Sequence, residues 1–190
     1  MLRHGIKAMT MDELARHMGI SKRTIYENFQ DKNTLLIAIF QHYKKEHAVK
    51  FEKILEESPT VLHAAYRWNN ERSVSMPLAK VISLYDEVKR YHPVVYQKEI
   101  LKDIDQRFEE TKGVLELGVK QGVFRKDLDV EVATSLMISL SQQMAEDTDG
   151  YRRQFSIEKL HATYMEIFIR GCCSVKGYQL FDQIFLQETK

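Results

Sequence analysis

Residues 10–32, TMDELARHMGISKRTIYENFQDK, constrain this chain more than any other segment. Thr10 and Glu13 stand at T-x-x-E spacing, where each side chain can bond the other's backbone amide and start a helix. Leu14, Ala15 and Met18 give that helix an inward face, and Gly19 ends it in a left-handed turn open to glycine. Ile20 fills the core beneath the turn, and Ser21 is placed to cap the next helix. Ile25 and Phe29 point inward from that second helix at i,i+4, leaving Lys22, Arg23, Thr24, Tyr26 and Asn28 on its other faces. Two short helices joined by a tight glycine turn form a helix-turn-helix, a motif that lays its second helix in the DNA major groove.

Helical periodicity continues through the rest of the chain, and no two-residue alternation persists, so the fold class is all-α. Asp31 caps a long third helix expected over about residues 32–57. Its Leu35, Leu36, Ile39, Phe40 and Tyr43 pack back on the head, and Val49, Phe51, Ile54 and Leu55 face the body. Further helices are expected near 60–74, 77–91, 94–102 and 103–121. Pro59, Pro77 and Pro93 stand at helix starts or connections, while Gly19, Gly122, Gly171 and Gly177 mark helix ends. The run from Gly118 to Asp129 reads as a helix end, a turn and a new cap. Residues 1–45 thus form a helix-turn-helix DNA-binding domain, and residues 46–190 a helical ligand-binding and dimerisation domain.

Near the C-terminus, Val132, Ala133, Leu136, Met137, Leu140 and Met144 form one apolar stripe, and Leu160, Tyr164, Ile167 and Phe168 form a second. Two such helices either join a second subunit in a four-helix bundle or close the chain's own core. As a dimer interface the candidates are Leu136, Leu140, Met144, Leu160, Tyr164, Ile167 and Phe168.

An apolar fraction of 44% and a charged fraction of 29% are those of an ordinary soluble protein. Apolar runs of a few residues fall far short of the roughly 20 that span a bilayer, and no secretory leader pattern is visible. The expected location is therefore the cytoplasm. Charge is uneven: residues 1–50 hold nine Lys and Arg against five acids, whereas the whole chain is only +1. A basic end on a neutral body suits local attraction to phosphates.

The two cysteines, Cys172 and Cys173, are adjacent and read as reduced core or interface thiols. Seven histidines form no metal pattern; His42 and His47 are five residues apart, whereas a paired helical site needs four. There is no nucleophile elbow, glycine-rich phosphate loop or carboxylate pair with divided acid and base roles, so neither catalysis nor a cofactor is expected.

The combination of T-M-D-E-L-A, G-I-S-x-x-T-x-Y-x-x-F, D-K and L-L at these spacings over residues 5–40 closely resembles the head of TetR-family transcriptional regulators. The turn from Gly122 to Asp129 also resembles the stretch before the dimerisation helices of many members. Beyond residue 45 the likeness is general. The resemblance implies a full helix ahead of Gly5, of which only residues 1–4 stand in this sequence. The expectation is that further residues lie upstream of Met1, because losing that helix would expose Leu14, Ile25 and Phe29.

Carried over position by position, the resemblance implies that Lys22, Arg23 and Thr24 reach base edges, with an arginine–guanine pair the strongest single contact. It implies phosphate contacts at Thr10, Ser21, Tyr26, Asn28 and Lys32, which fix register without reading sequence. Thr10 and Ser21 can serve as helix caps as well. Glu27, acidic on a helix facing DNA, is expected to point away or to buttress an arginine.

In the body, the resemblance implies a ligand cavity among aromatic and soft side chains, with Tyr66, Trp68, Tyr85, Phe108 and Met137 as candidates; composition alone would call them core. Trp68 leads because its ring offers area while its N–H needs a partner. The implied function is that of a homodimeric, ligand-responsive regulator of palindromic double-stranded DNA, a repressor released by a small hydrophobic effector. The alternative is an interaction protein of the same fold whose body binds a protein partner while the head localises it on DNA.

Overall fold

In the computed structural model, residues 5–75, 77–102, 104–146 and 154–185 are described. They form α1 (Gly5–Ala8), α2 (Met11–His17), α3 (Lys22–Asn28), α4 (Lys32–Glu57), α5 (Val61–Ser75), α6 (Leu78–Tyr91) and α7 (Pro93–Val95). A π-helical turn (Tyr96–Leu101) follows, then α8 (Ile104–Lys120), α9 (Val130–Glu146), α10 (Ile157–Cys172) and α11 (Val175–Phe185). Among these residues the only β pairing is an isolated antiparallel bridge between Phe124 and Cys173. The fold is all-α. No helix of the described residues is long and apolar enough to cross a membrane.

The chain divides into two units. The first holds Met1–Val49 and Lys80–Ile104, the second Lys50–Ala79 and Asp105–Lys190. The head read from sequence as residues 1–45 is therefore only part of the first unit, because most of α6, with α7 and the π-helical turn, packs into it. The reason is apolar burial: Val88 and Val95 are fully buried in one cluster with Ile6, Leu36 and Phe40.

Within the first unit a second cluster gathers Met11, Leu14 and Ala15 of α2 with Ile25 of α3 and Leu35 of α4. Met9, Ile20, Phe29 and Ile39 close around it, leaving Leu14 at 4% and Ile25 at 2% exposure. Leu14 and Ile25 are thus buried, and Phe29 is half-buried. Residues 1–4, on which the expectation of a first helix falls, lie outside the described residues. Met18, expected to face inward, is exposed, and Met11 fills the inward stripe instead. Met18 is the C-cap of α2, where the chain turns away through Gly19 at φ 67°.

A polar contact also joins the parts of this unit. Glu99, on the π-helical turn, is buried and accepts from Gln41 Nε2 at 3.0 Å, with the Lys44 ammonium at 3.4 Å. A buried carboxylate needs such partners, since leaving it unpaired costs far more than the pair contributes.

In the second unit, Val61 and Leu62 of α5, Leu115 of α8, Ala133 of α9, Ile169 and Cys172 of α10 and Phe181 of α11 share one core with Val123 and Phe124. Leu55, at the end of α4, packs against it. Val49, expected to face the body, is exposed and belongs to the first unit. The turn from Gly122 to Asp129 forms as expected, with Gly122 at φ 71° and Asp129 Oδ1 accepting from the Val132 amide at 3.1 Å.

Gly177 does not end a helix; it lies in the first turn of α11, where a Cβ would overlap the Val123 carbonyl. Gly171, by contrast, stands at the end of α10, one residue before its last. The thiols of Cys172 and Cys173 are free. Burial raises the pKa of both, that of Cys173 to about 11, so neither is a ready nucleophile.

Candidate nucleic-acid interface

The capping box expected at the start of α2 is complete. Thr10 Oγ1 accepts from the Glu13 amide at 3.2 Å, and Glu13 accepts from the Thr10 amide at 2.8 Å and from its hydroxyl at 3.0 Å. These bonds hold the Glu13 carboxyl below the ordinary carboxylate range. Ser21 caps α3 by accepting from the Thr24 amide at 3.0 Å.

Ile25 is the one buried residue of α3, and it anchors the helix by its inner face. Lys22, Arg23, Thr24, Tyr26, Glu27 and Asn28 are all exposed, Tyr26 at 49%. A two-turn helix held through a single buried isoleucine presents the rest of its surface outward, as a recognition helix must.

The exposed cations are not idle. The Lys22 ammonium pairs with Asp12 of α2, and Arg23 Nε donates to Glu27 Oε1 at 2.7 Å. Asn28 Nδ2 donates to the Thr24 carbonyl at 2.8 Å. The Arg23–Glu27 pair was legible as an i,i+4 spacing, whereas the Lys22–Asp12 pair joins two helices and depends on how they pack.

Lys32 stands apart from this face. It is half-buried, and its Nζ donates to the Ile6 carbonyl at 2.6 Å. Burial lowers its pKa, against the raising effect of Glu87 and Glu13. An ammonium has three donors, so this bond leaves further N–H groups for a phosphate.

Asp31 caps α4 by accepting from the Thr34 amide at 2.7 Å and from its hydroxyl at 2.9 Å. These bonds lower the Asp31 pKa. Two supports come from α6 and its end, with no local signal in the sequence. Glu87 accepts from the Ile6 and Lys7 amides at 2.5 and 3.2 Å, and the His92 ring bonds Asn33 Oδ1 at 2.6 Å.

The candidate ligand residues do not all fall in one unit. Tyr85 belongs to the first, where its ring tilts against Phe40 at 6.1 Å. Tyr66, Trp68, Phe108 and Met137 belong to the second. There Tyr66 meets Phe185 edge-on at 5.1 Å and Trp68 meets Phe51 edge-on at 5.2 Å, with Phe108 and Met137 half-buried.

Of the candidate dimer residues, Leu136, Leu140 and Ile167 are exposed at 52%, 39% and 68%, whereas Met144, Leu160, Tyr164 and Phe168 are half-buried. The Tyr164 hydroxyl donates to the Met137 carbonyl at 3.0 Å, which ties α10 to α9. Among the described residues, no group of three or more His, Cys, Asp or Glu could hold a metal.

Residues 1–39 match the family described as bacterial regulatory proteins, tetR family. An HTH-type transcriptional repressor, KstR2 of Rhodococcus jostii, is 31% identical over 134 residues. That match covers 68% of this chain and 64% of the relative, so the chain spans just under two thirds of the curated relative it matches. Residues 1–39 thus belong to the TetR family.

Solved TetR-like structures agree in fold. A transcriptional regulator from Cytophaga hutchinsonii has a TM-score of 0.67 at 18% identity, covering 91% of this chain and 92% of that one. The transcriptional regulator FadR of Bacillus subtilis, solved in complex with stearoyl-CoA, has a TM-score of 0.64 at 16% identity, covering 90% and 92%. The TetR relatives are regulators of transcription.

Proposed function

We propose that this chain is a homodimeric, ligand-responsive DNA-binding regulator of transcription, a repressor released from palindromic DNA by a small hydrophobic effector. The observation that carries this reading is α3, fixed through buried Ile25 while Lys22, Arg23, Thr24 and Tyr26 are exposed on its outer surface. In this reading Lys22, Arg23 and Thr24 reach base edges. Thr10, Ser21, Tyr26, Asn28 and Lys32 hold phosphates.

Dimerisation is supported by a row of exposed apolar residues on one face of α9, Val132, Leu136 and Leu140, with Ile167 on α10. Apolar side chains at i, i+4 and i+8 left in water are a seam awaiting a partner. In a dimer competent for DNA the two recognition helices sit about 34–36 Å apart, or near a multiple, to enter successive major-groove faces.

An effector shifts this state only by its difference in affinity between the competent and incompetent shapes. Its apolar character is supported by the stearoyl-CoA bound to FadR and by the aromatic residues of the second unit, where Tyr66, Trp68, Phe108 and Met137 are the proposed contacts.

The test is selection of duplexes from a randomised pool by the full chain, followed by release with stearoyl-CoA and other apolar acyl compounds. A selected inverted repeat, released by such a compound with a change in Trp68 fluorescence, is the expected result. Selection of no duplex removes the reading.

A further inference from the structure

We propose that Glu27 is a positioning residue that holds Arg23 in the geometry for reading a guanine; the proposal rests on the DNA-binding reading above. Arg23 is the second residue of α3, at the end of a recognition helix that contacts bases, and its side chain is 87% exposed. Its Nε donates to Glu27 Oε1, one turn farther along the same helix. Arginine carries five donors in a rigid planar fork. Tying Nε to Glu27 leaves the end-on N–H groups of the two terminal amino groups available to another acceptor. Those two groups are the pair that can meet O6 and N7 of a guanine end-on.

The carboxylate acts in two ways. It restricts an otherwise freely rotating side chain before DNA arrives, so less freedom is lost on docking. It also stands exposed on a surface that faces phosphates. In any register where Arg23 swings to a phosphate, Glu27 is left unpaired beside the DNA backbone, which disfavours that register. Glu27 therefore gives up general affinity in favour of base choice.

The neighbouring pair makes a useful contrast. Asp12 neutralises Lys22 from a different helix, but an ammonium on a flexible stem has no fork to orient. Asp12 lowers general attraction to DNA and selects nothing.

The experiment uses the full chain and duplexes that it enriches from a randomised pool. Arg23→Ala first identifies the base pair that Arg23 reads. Preference for guanine at that pair, measured against a duplex changed only there, is then compared in Glu27→Ala and Glu27→Gln. The expected result is a loss of roughly tenfold in that preference for Glu27→Ala, with unchanged or tighter binding to scrambled duplex and helix content equal to the parent's by circular dichroism. Glu27→Gln, which keeps an acceptor without the charge, retains part of the preference. Adding Glu27→Ala to Arg23→Ala removes nothing more, because the two act as one unit. Asp12→Asn tightens binding to all duplexes alike and leaves the preference intact.

Full preference in Glu27→Ala overturns the proposal. So does an equal loss of affinity for every duplex, which marks a purely structural ion pair, or the same loss of preference in Asp12→Asn. A parent that enriches a site without guanine at the Arg23-dependent pair overturns it too. A parent that enriches nothing overturns the DNA-binding reading itself and the proposal with it, an outcome distinct from a selected site that ignores Glu27.

Discussion

Lys32 and His92 meet at the start of α4, and each gives a measurable consequence for the head. Burial, and then the nearby Lys32 charge, push the pKa of His92 below the ordinary histidine value. The unfolded chain therefore binds more protons than the folded one just below about pH 6.5, and stability falls as the pH falls through that region. Glu13 and Asp31 carry lowered pKa values of the opposite kind. Their stabilisation is complete above the ordinary carboxylate range and is lost only at more acid pH. Between about pH 6.5 and pH 5 His92 contributes such a loss. Thermal melts across that window should slope for the parent and flatten for His92→Gln; equal slopes would contradict the assignment. Lys32→Ala removes a charged donor from the Ile6 carbonyl and should cost about 1.5 kcal/mol in urea unfolding, the scale of a hydrogen bond made by an ion.

Among the elements, local chemistry was legible and tertiary burial was not. The capping box of Thr10 and Glu13, the caps at Ser21, Asp31 and Asp129, and the turn at Gly19 all read directly from sequence, because each depends on residues within four positions. The extent of α4 followed for the same reason. Met18 and Val49 were misjudged because a helical stripe tells which residues align, not whether another element covers them.

The placement of α6 with the head depended on Val88 and Val95, whose partners Ile6 and Phe40 lie far away in the chain. Gly177 is of that kind too. Helix propensity alone predicts that Gly177→Ala stabilises α11 by about 1 kcal/mol. A Cβ there meets the Val123 backbone, which cannot give way as a flexible side chain could. The clash should win, with a net loss of about 2 kcal/mol or more by chemical denaturation. A stabilised variant would show that the turn beneath α11 yields. On α9, Leu136→Glu combined with Leu140→Glu should convert dimers to monomers in sedimentation without loss of helix content, since both side chains are exposed in the single chain. A variant that stays dimeric places the seam elsewhere.

At the scale of the whole molecule, the governing feature is uneven charge. The first fifty residues carry a surplus of basic groups, and the rest of the chain a surplus of acidic ones. A head of this kind is drawn to phosphates while the body is not, so binding should respond to salt through counterion release. Paired heads multiply the effect, because each contributes its own phosphate contacts. The most direct test of the account is the affinity of the full chain for its selected duplex as ionic strength is raised. The account predicts tight binding at low salt that weakens by orders of magnitude between roughly 50 and 200 mM, with two chains per duplex. An affinity indifferent to salt, or one chain per duplex, would contradict it.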